Sequence, residues 1–267
     1  MKVKKIVCNA SMLVVCALLT GSCLSSLRIK GDGLPVTREI TISDYNAIRC
    51  EGPMKIDYTR SDDAPGLTVT VDRNIFEMYD FSVRDGMLRI KPKKEYRDKL
   101  FAPTLFTVVT SSTDLRRVDA AGKTEFTVNS PLRTEELKFS LAGRTTVNLK
   151  DSVILRKLNV DIAGRGTLNA FALAGERFGG DIAGSGDINL GGRMATASFD
   201  IAGSGTVHAF NLQTEEVKCS IAGSGKLEIS ASSSIHADIA GSGSIRYRGD
   251  PRVVSKTAGL ASVRKAD

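Results

Sequence analysis

The chain has no tryptophan, only five tyrosines and only two histidines among its 267 residues. Without indoles and with few phenols it has little aromatic surface for stacking sugar rings, which weakens any expectation of a glycan-cleaving cleft. His208 and His236 have neither a histidine nor a cysteine partner at metal-ligand spacing, so a zinc centre is not expected. The Gly-Ser-Gly copies lack a following Lys-Ser/Thr and a helix to present its dipole, which excludes a phosphate-binding loop. No uninterrupted apolar run reaches membrane-spanning length; the longest apolar stretch, Ile6 to Leu19, is broken by Asn9 and Ser11.

What is present begins with an address. Met1-Lys2-Val3-Lys4-Lys5 precedes that stretch and Thr20-Gly21-Ser22 closes it before Cys23, the three-part pattern of a secretory leader. A small pair directly before a cysteine resembles the lipobox of bacterial lipoproteins, so residues 1–22 are expected to be removed and Cys23 to carry the lipid anchor. Thr20 stands where most lipoboxes have Leu, and ordinary cleavage leaving a free thiol remains the alternative. Three lysines and no acid leave with the leader, lowering the formal charge from +7 to +4. Such a mild, interspersed excess is a solubility feature and not a nucleic-acid footprint. The densest basic stretch, Lys91 to Lys99, contains Glu95 and Asp98 and is expected to be a solvated loop. No acidic cluster follows Cys23, which leaves the membrane face open; the expected place is the cell envelope, as an outer-membrane lipoprotein.

The body is repetitive. Glycines 122, 143, 164, 184, 203, 223, 241 and 259 recur at intervals of 21, 21, 20, 19, 20, 18 and 18 residues, three of them (184, 203 and 241) within Asp-Ile-Ala-Gly-Ser-Gly and two more (164 and 223) within one-residue variants of it. Four residues after each stands Phe126, Val147, Leu168, Ile188, Val207, Leu227, Ile245 or Val263; the positions six after, two before and four before are also largely apolar. Five after, Thr127, Asn148, Asn169, Asn189, His208, Glu228, Arg246 and Arg264 are all polar and are expected to face water. Period-two alternation repeated once per interval predicts an all-β fold, a single-stranded right-handed parallel β-helix in which one repeat is one coil. Coils about 4.8 Å apart make a rod roughly 35 Å long.

The template also fits Ile48, Cys50, Gly52, Ile56 and Tyr58, placing an initial coil at residues 36–60. The chain therefore divides into a leader (1–22), a polar tether (23–35), a first coil with a β-rich excursion (36–110) and the β-helix proper (111–267). Asp85-Gly86 between Phe81–Arg84 and Met87–Ile90 predicts a two-residue hairpin, and residues 74–79 one helical turn. Cys50 and Cys219 both fall at inward positions about six coils apart, beyond disulfide reach, and are expected to be buried free thiols.

The repeated Ile-Ala-Gly-Ser-Gly-x-Ile/Val, the lipoprotein-like start and the closing Tyr247-Arg248-Gly249-Asp250-Pro251-Arg252-Val253 together resemble the putative autotransporter adhesin, head GIN domain family over about residues 36–267. Arg144 and Arg165 replace the usual serine, and the Gly122 and Gly259 coils are degenerate. The resemblance implies a β-helix of the type also found in adhesin passengers and polysaccharide lyases.

One polar column stands out. Three residues before the glycine come Asp119, Ser140, Asp161, Asp181, Asp200, Ser220 and Asp238. Carboxylates one coil apart repel by roughly 1 kcal/mol in water, so the column invites compensation. Asp161, Asp181, Asp200 and Asp238 are the candidate ligand or cation face; the structural alternative is that each aspartate accepts hydrogen bonds from the turn that follows it. No catalytic residue, bound metal or cofactor is expected. The function expected is a noncatalytic binding or adhesion module for a glycan or surface protein, tied to the membrane by its lipid. A carbohydrate-active lyase or hydrolase using the aspartates is the alternative.

Overall fold

The computed structural model describes residues 28–266, so the leader and Cys23 lie outside the described residues. It is a β-solenoid of about seven turns.

The N-terminal part contains β1 (Arg28–Lys30), β2 (Pro35–Glu39), β3 (Ala47–Glu51), β4 (Met54–Arg60), β5 (Gly66–Asp72), a helical turn α1 (Arg73–Phe76), β6 (Tyr79–Arg84), β7 (Met87–Pro92), β8 (Leu100–Ala102) and β9 (Phe106–Ser112). The body follows as β10 (Arg117–Val128), β11 (Leu132–Leu149), β12 (Val153–Gly164), β13 (Thr167–Gly184), β14 (Asp187–Gly203), β15 (Thr206–Gly223), β16 (Lys226–Gly241), β17 (Ser244–Arg248), β18 (Arg252–Gly259) and β19 (Ser262–Lys265).

The body strands pair in parallel from coil to coil, β18 and β19 ending the stack, and the register sets glycine opposite glycine from Gly122 to Gly259. The inward columns close into one core: Phe126, Val147, Leu168, Ile188, Val207, Leu227 and Ile245 are all buried in file. Each such side chain contributes about 1.5–3 kcal/mol on burial, which is what holds the coils in stack. At the glycine corner the turn amides bond to the preceding coil: Ser185 N donates to the Gly164 carbonyl at 2.9 Å and Ser204 N to that of Gly184 at 2.8 Å. Gly184 holds φ +130, and a Cβ there would press on the Gly164 carbonyl oxygen. Only glycine allows both that conformation and that approach.

The outward side departs from expectation at one point. Thr127 is buried, at 5% exposure, between the coils carrying Asp57 and Asn148. The first coil's polar column is therefore covered where the N-terminal region packs.

At that end β3 and β4 lie under β10, with the Gly52 amide donating to the Ala121 carbonyl. Next come β7 beneath β3 and β9 beneath β4, still parallel. Then the direction reverses: β5 runs antiparallel on β9, β2 on β5 and β6 on β7. The hairpins thus close the first end of the stack. Asp85 (φ +54) and Gly86 (φ +69) make the two-residue turn, with both angles positive as a type I′ hairpin requires. Because β2 pairs antiparallel with β5, the coil geometry begins at Ala47, and residues 36–46 belong to the cap.

The expected polar tether is also shorter than 23–35. β1 pairs in parallel with β8, and Gly31 N continues the ladder to the Ala102 carbonyl. Asp72, fully buried, accepts from Gly33 N at 3.0 Å, Thr104 N at 2.7 Å and the Thr104 hydroxyl, binding the entering chain to the cap. Burial opposes ionisation of Asp72, but together the hydrogen bonds from Thr104, Gly33 and Leu105 outweigh it and hold the carboxyl below its ordinary pKa. Cys50 and Cys219 are buried free thiols, each pushed by burial up to about 12.

Candidate functional site

The aspartate column forms as the register demands: Asp119, Ser140, Asp161, Asp181, Asp200, Ser220 and Asp238 stand opposite one another on successive coils. Serines at two rungs leave Asp161, Asp181 and Asp200 as the one uninterrupted run, and Asp238 stands apart from it. Cations occupy its ends. Arg49 (3.1 Å) and Arg117 (2.8 Å) hold Asp119, Lys138 holds Asp161 at 2.7 Å, and Lys256 is the register neighbour of Asp238. Asp181 is pushed up to about 6, first by desolvation within the column and then by the charges of Asp200 and Asp161, with Lys138 pulling the other way.

The turn-capping alternative fails on geometry. The amides of Ser185, Ser204, Ser224 and Ser242 are taken by carbonyls of the preceding coil, and no turn amide among the described residues bonds to these aspartates. The carboxylates project from the same face as a groove of about 340 Å³ whose floor is the side-chain-free Gly179. Lys157, Arg177, Asn159, Ser198 and Lys218 border it. Among the described residues no cluster of three or more His, Cys, Asp or Glu is placed to hold a metal ion.

A second face carries the polar column five residues after the glycine. Asn169 Nδ2 donates to Asn148 Oδ1 and Asn189 Nδ2 to Asn169 Oδ1, each at 2.8 Å. The column continues as an ionic ladder in which Glu228 receives His208 Nδ1 at 2.9 Å and Arg246 at 3.4 Å. His208 is thereby accounted for as a surface partner. His236 stands on a different column, opposite Lys218 and Val254.

The feature that sequence alone did not expose lies at the corner beyond this face. The coils shorten from 21 to 18 residues along the chain, and their register shifts cluster at Ala170/Leu173, Asn189/Gly191 and Ala209/Gln213. An extra residue in one strand splays the backbone and re-aims a side chain, as β-bulges do. Here the bulges carry Phe171 and Phe210, with Gly191 on the coil between them. Phe171 is 61% exposed, the most exposed aromatic of the described residues. Gly191 lies so close to the Phe171 carbonyl that a Cβ would stand 2.8 Å from it. Two rungs separate the phenyl rings, a gap of about 10 Å.

Beside Phe210, whose carbonyl accepts from the Ser230 hydroxyl, runs the register column Arg193, Gln213, Ser230 and Arg248. The Arg248 guanidinium lies 4.3 Å from the Phe210 ring centroid and has no carboxylate partner among the described residues. This column lines a cleft of about 540 Å³. Glu215, Ser232 and Asp250 also line it, with Met194, Thr214 and Ala231 as its buried part. The cleft exists because the later coils are shorter at this corner and step inward beneath the earlier ones. The falling repeat length was the signal for it in the sequence; where the deletions fall around the coil was not.

A stack of parallel coils with a polar groove on one face and a cleft at a corner defines the chain as a β-solenoid. Residues 44–251 match the family described as "Putative auto-transporter adhesin, head GIN domain", and the chain belongs to that family. It is similar to the crystal structure of a putative lipid binding protein from Parabacteroides distasonis, with 34% identity over 90% of this chain and 100% of that one and a TM-score of 0.86. A putative adhesin from Parabacteroides merdae shows 33% identity over 90% and 99%, with a TM-score of 0.82. A putative adhesin from P. distasonis shows 30% identity over 90% and 100%, with a TM-score of 0.79. No curated protein matches the chain.

Proposed function

We propose that the chain is an exported lipoprotein of the cell envelope, anchored through Cys23, that acts without catalysis as a binding module and takes a glycan at the corner cleft. The observation that carries this is the register column Arg193, Gln213, Ser230 and Arg248 lining the cleft, with the Phe210 ring against the Arg248 guanidinium. Aromatic faces accept the C–H face of a sugar ring, and a guanidinium pinned on a phenyl offers paired donors to hydroxyls or a carboxylate. Side-chain hydroxyls and an amide from Thr214, Ser232 and Gln213 complete a polar pocket with an apolar floor, the composition that small-ligand sites share. Successive sugars are about as long as one rung, so an extended chain can follow the column coil by coil.

The test is a glycan array followed by titration calorimetry on the best binder, using wild type, Phe210→Ser and Arg248→Ala. The expected result is affinity lowered tenfold or more in each variant at unchanged melting temperature. A glycan bound equally by all three, or protein ligands alone on a parallel surface-protein screen, would overturn the cleft assignment. Anchoring is tested separately by palmitate labelling, expected in wild type and lost in Cys23→Ala.

One observation favours the enzymatic alternative: Asp181, with its raised pKa, stands one rung from Asp200, an acid beside a second carboxylate. Against it, neither Asp181 nor Asp200 lines any of the described clefts. New reducing or unsaturated ends from uronic-acid polymers, abolished by Asp181→Ala or Asp200→Ala, would establish catalysis instead.

A further inference from the structure

The cap end of the solenoid carries a surface that neither the cleft nor the aspartate face uses. In the small parallel sheet of β1 and β8, Arg28 stands opposite Leu100, Ile29 opposite Phe101 and Lys30 opposite Ala102. Strand side chains alternate, so Ile29 and Phe101 pack inward on the core while Arg28, Lys30 and Leu100 share the outer side. Leu100 is 50% exposed there. The segment leading into β8 borders a notch of about 320 Å³ set by Arg84, Lys91, Lys93, Lys94 and Arg97 against only Asp80 and Glu95. None of those five cations, nor Arg28 or Lys30, has an ion-pair partner among the described residues, whereas the body's arginines at 117, 156 and 246 are paired.

The position of this surface decides its occupant. Only four residues separate Arg28 from Cys23, and an extended chain of that length reaches at most about 18 Å. If Cys23 is acylated, Arg28 is held within that distance of the lipid headgroups, with Leu100 its register partner and the notch residue Arg97 three residues before Leu100. A cationic, apolar-tipped surface so placed meets phosphate groups on one plane.

We propose that the cap end is seated on an anionic phospholipid surface, with the notch cations on lipid phosphates and Leu100 at the headgroup boundary. This rests on the Cys23 anchor for its geometry but not for its chemistry. The corner cleft, cut into the later coils toward the opposite end of the stack, is thereby held outward from the membrane.

The experiment uses the full mature chain with Cys23→Ser, so that no acyl group contributes, sedimented with phosphatidylglycerol/phosphatidylethanolamine vesicles and with phosphatidylcholine vesicles. Binding to the anionic vesicles alone is expected, weakened by added salt. Lys94→Gln with Arg97→Gln is expected to lower the association constant on the order of tenfold or more. Leu100→Ser should lower it further, and Arg252→Gln with Lys256→Gln on the last coil should leave it unchanged. Equal binding to both vesicle types, or no loss in the cap variants, overturns the proposal. Full displacement by millimolar inorganic phosphate overturns it too, because it would mark a small-anion site and not a membrane surface. Palmitate labelling and glycan titration report on the anchor and the cleft independently of these outcomes.

Discussion

The two corners of each coil behave in opposite ways. At the glycine corner every coil holds its glycine at positive φ, and from Arg165 to Ser242 the next amide bonds to the glycine carbonyl of the preceding coil. At the corner beyond the asparagine column the coils differ in length, register and side chain, and there the phenyl rings, the unpaired arginine and the cleft are found. Regularity in a solenoid marks what the stack needs; departure from it marks where the chain has room to do something else.

That contrast breaks most plainly by substitution. Gly203, at φ +126 and against the Gly184 carbonyl, tolerates no Cβ. Gly203→Val is expected to cost about 3 kcal/mol or more in urea unfolding, from backbone strain and a lost inter-coil bond together. Arg193→Ala at the variable corner, whose one ion-pair contact is 4.0 Å long and exposed, should stay within about 0.5 kcal/mol of wild type. Equal costs would dissolve the distinction between the corners.

The cap offers the next largest effect. Asp72→Ala removes a buried acceptor of several hydrogen bonds and should cost about 2–3 kcal/mol near pH 7. Because the folded pKa of Asp72 lies below its unfolded value, its contribution is complete above about pH 4 and lost as pH falls through the folded pKa. The gap between wild type and variant should therefore narrow in acid melts.

Within the body, Asn169→Ala cuts both amide bonds of its column and should cost about 1 kcal/mol in chemical denaturation. An effect of opposite sign is expected at the aspartate face. Asp181 has a folded pKa raised above its unfolded value, so its contribution to stability is complete below about pH 4 and lost as pH rises through about 6. Asp181→Asn should melt higher than wild type above pH 6, with the difference closing toward pH 4. A pH-independent difference would mean that the column's charges are already fully screened.

Much of this was legible in the chain because a solenoid converts sequence offsets directly into neighbours. The apolar file from Phe126 to Ile245, the inward thiols of Cys50 and Cys219 and the aspartate column all follow from one glycine register. The Asp85-Gly86 hairpin followed from local turn chemistry. What stayed hidden depends on pairings the register does not set. Arg28–Lys30 read as tether because its partner, Leu100–Ala102, is some seventy residues away and neither strand exceeds three residues. The turn-capping role given to the aspartates failed because stacked carbonyls had already taken the turn amides. Phe171 and Phe210 gave no period-two signal, since each sits on the extra residue that breaks the period.

The glycine file has one more consequence. Because each coil meets its neighbours through the same corner, a whole coil can be duplicated or deleted between, for instance, Gly143 and Gly164 without altering the joints on either side. Each such event changes the length by about 4.8 Å and leaves both ends as they were. The fold is in that sense a ruler with interchangeable divisions, on which the height of the cleft above the cap is a heritable length, set by how many divisions lie between them.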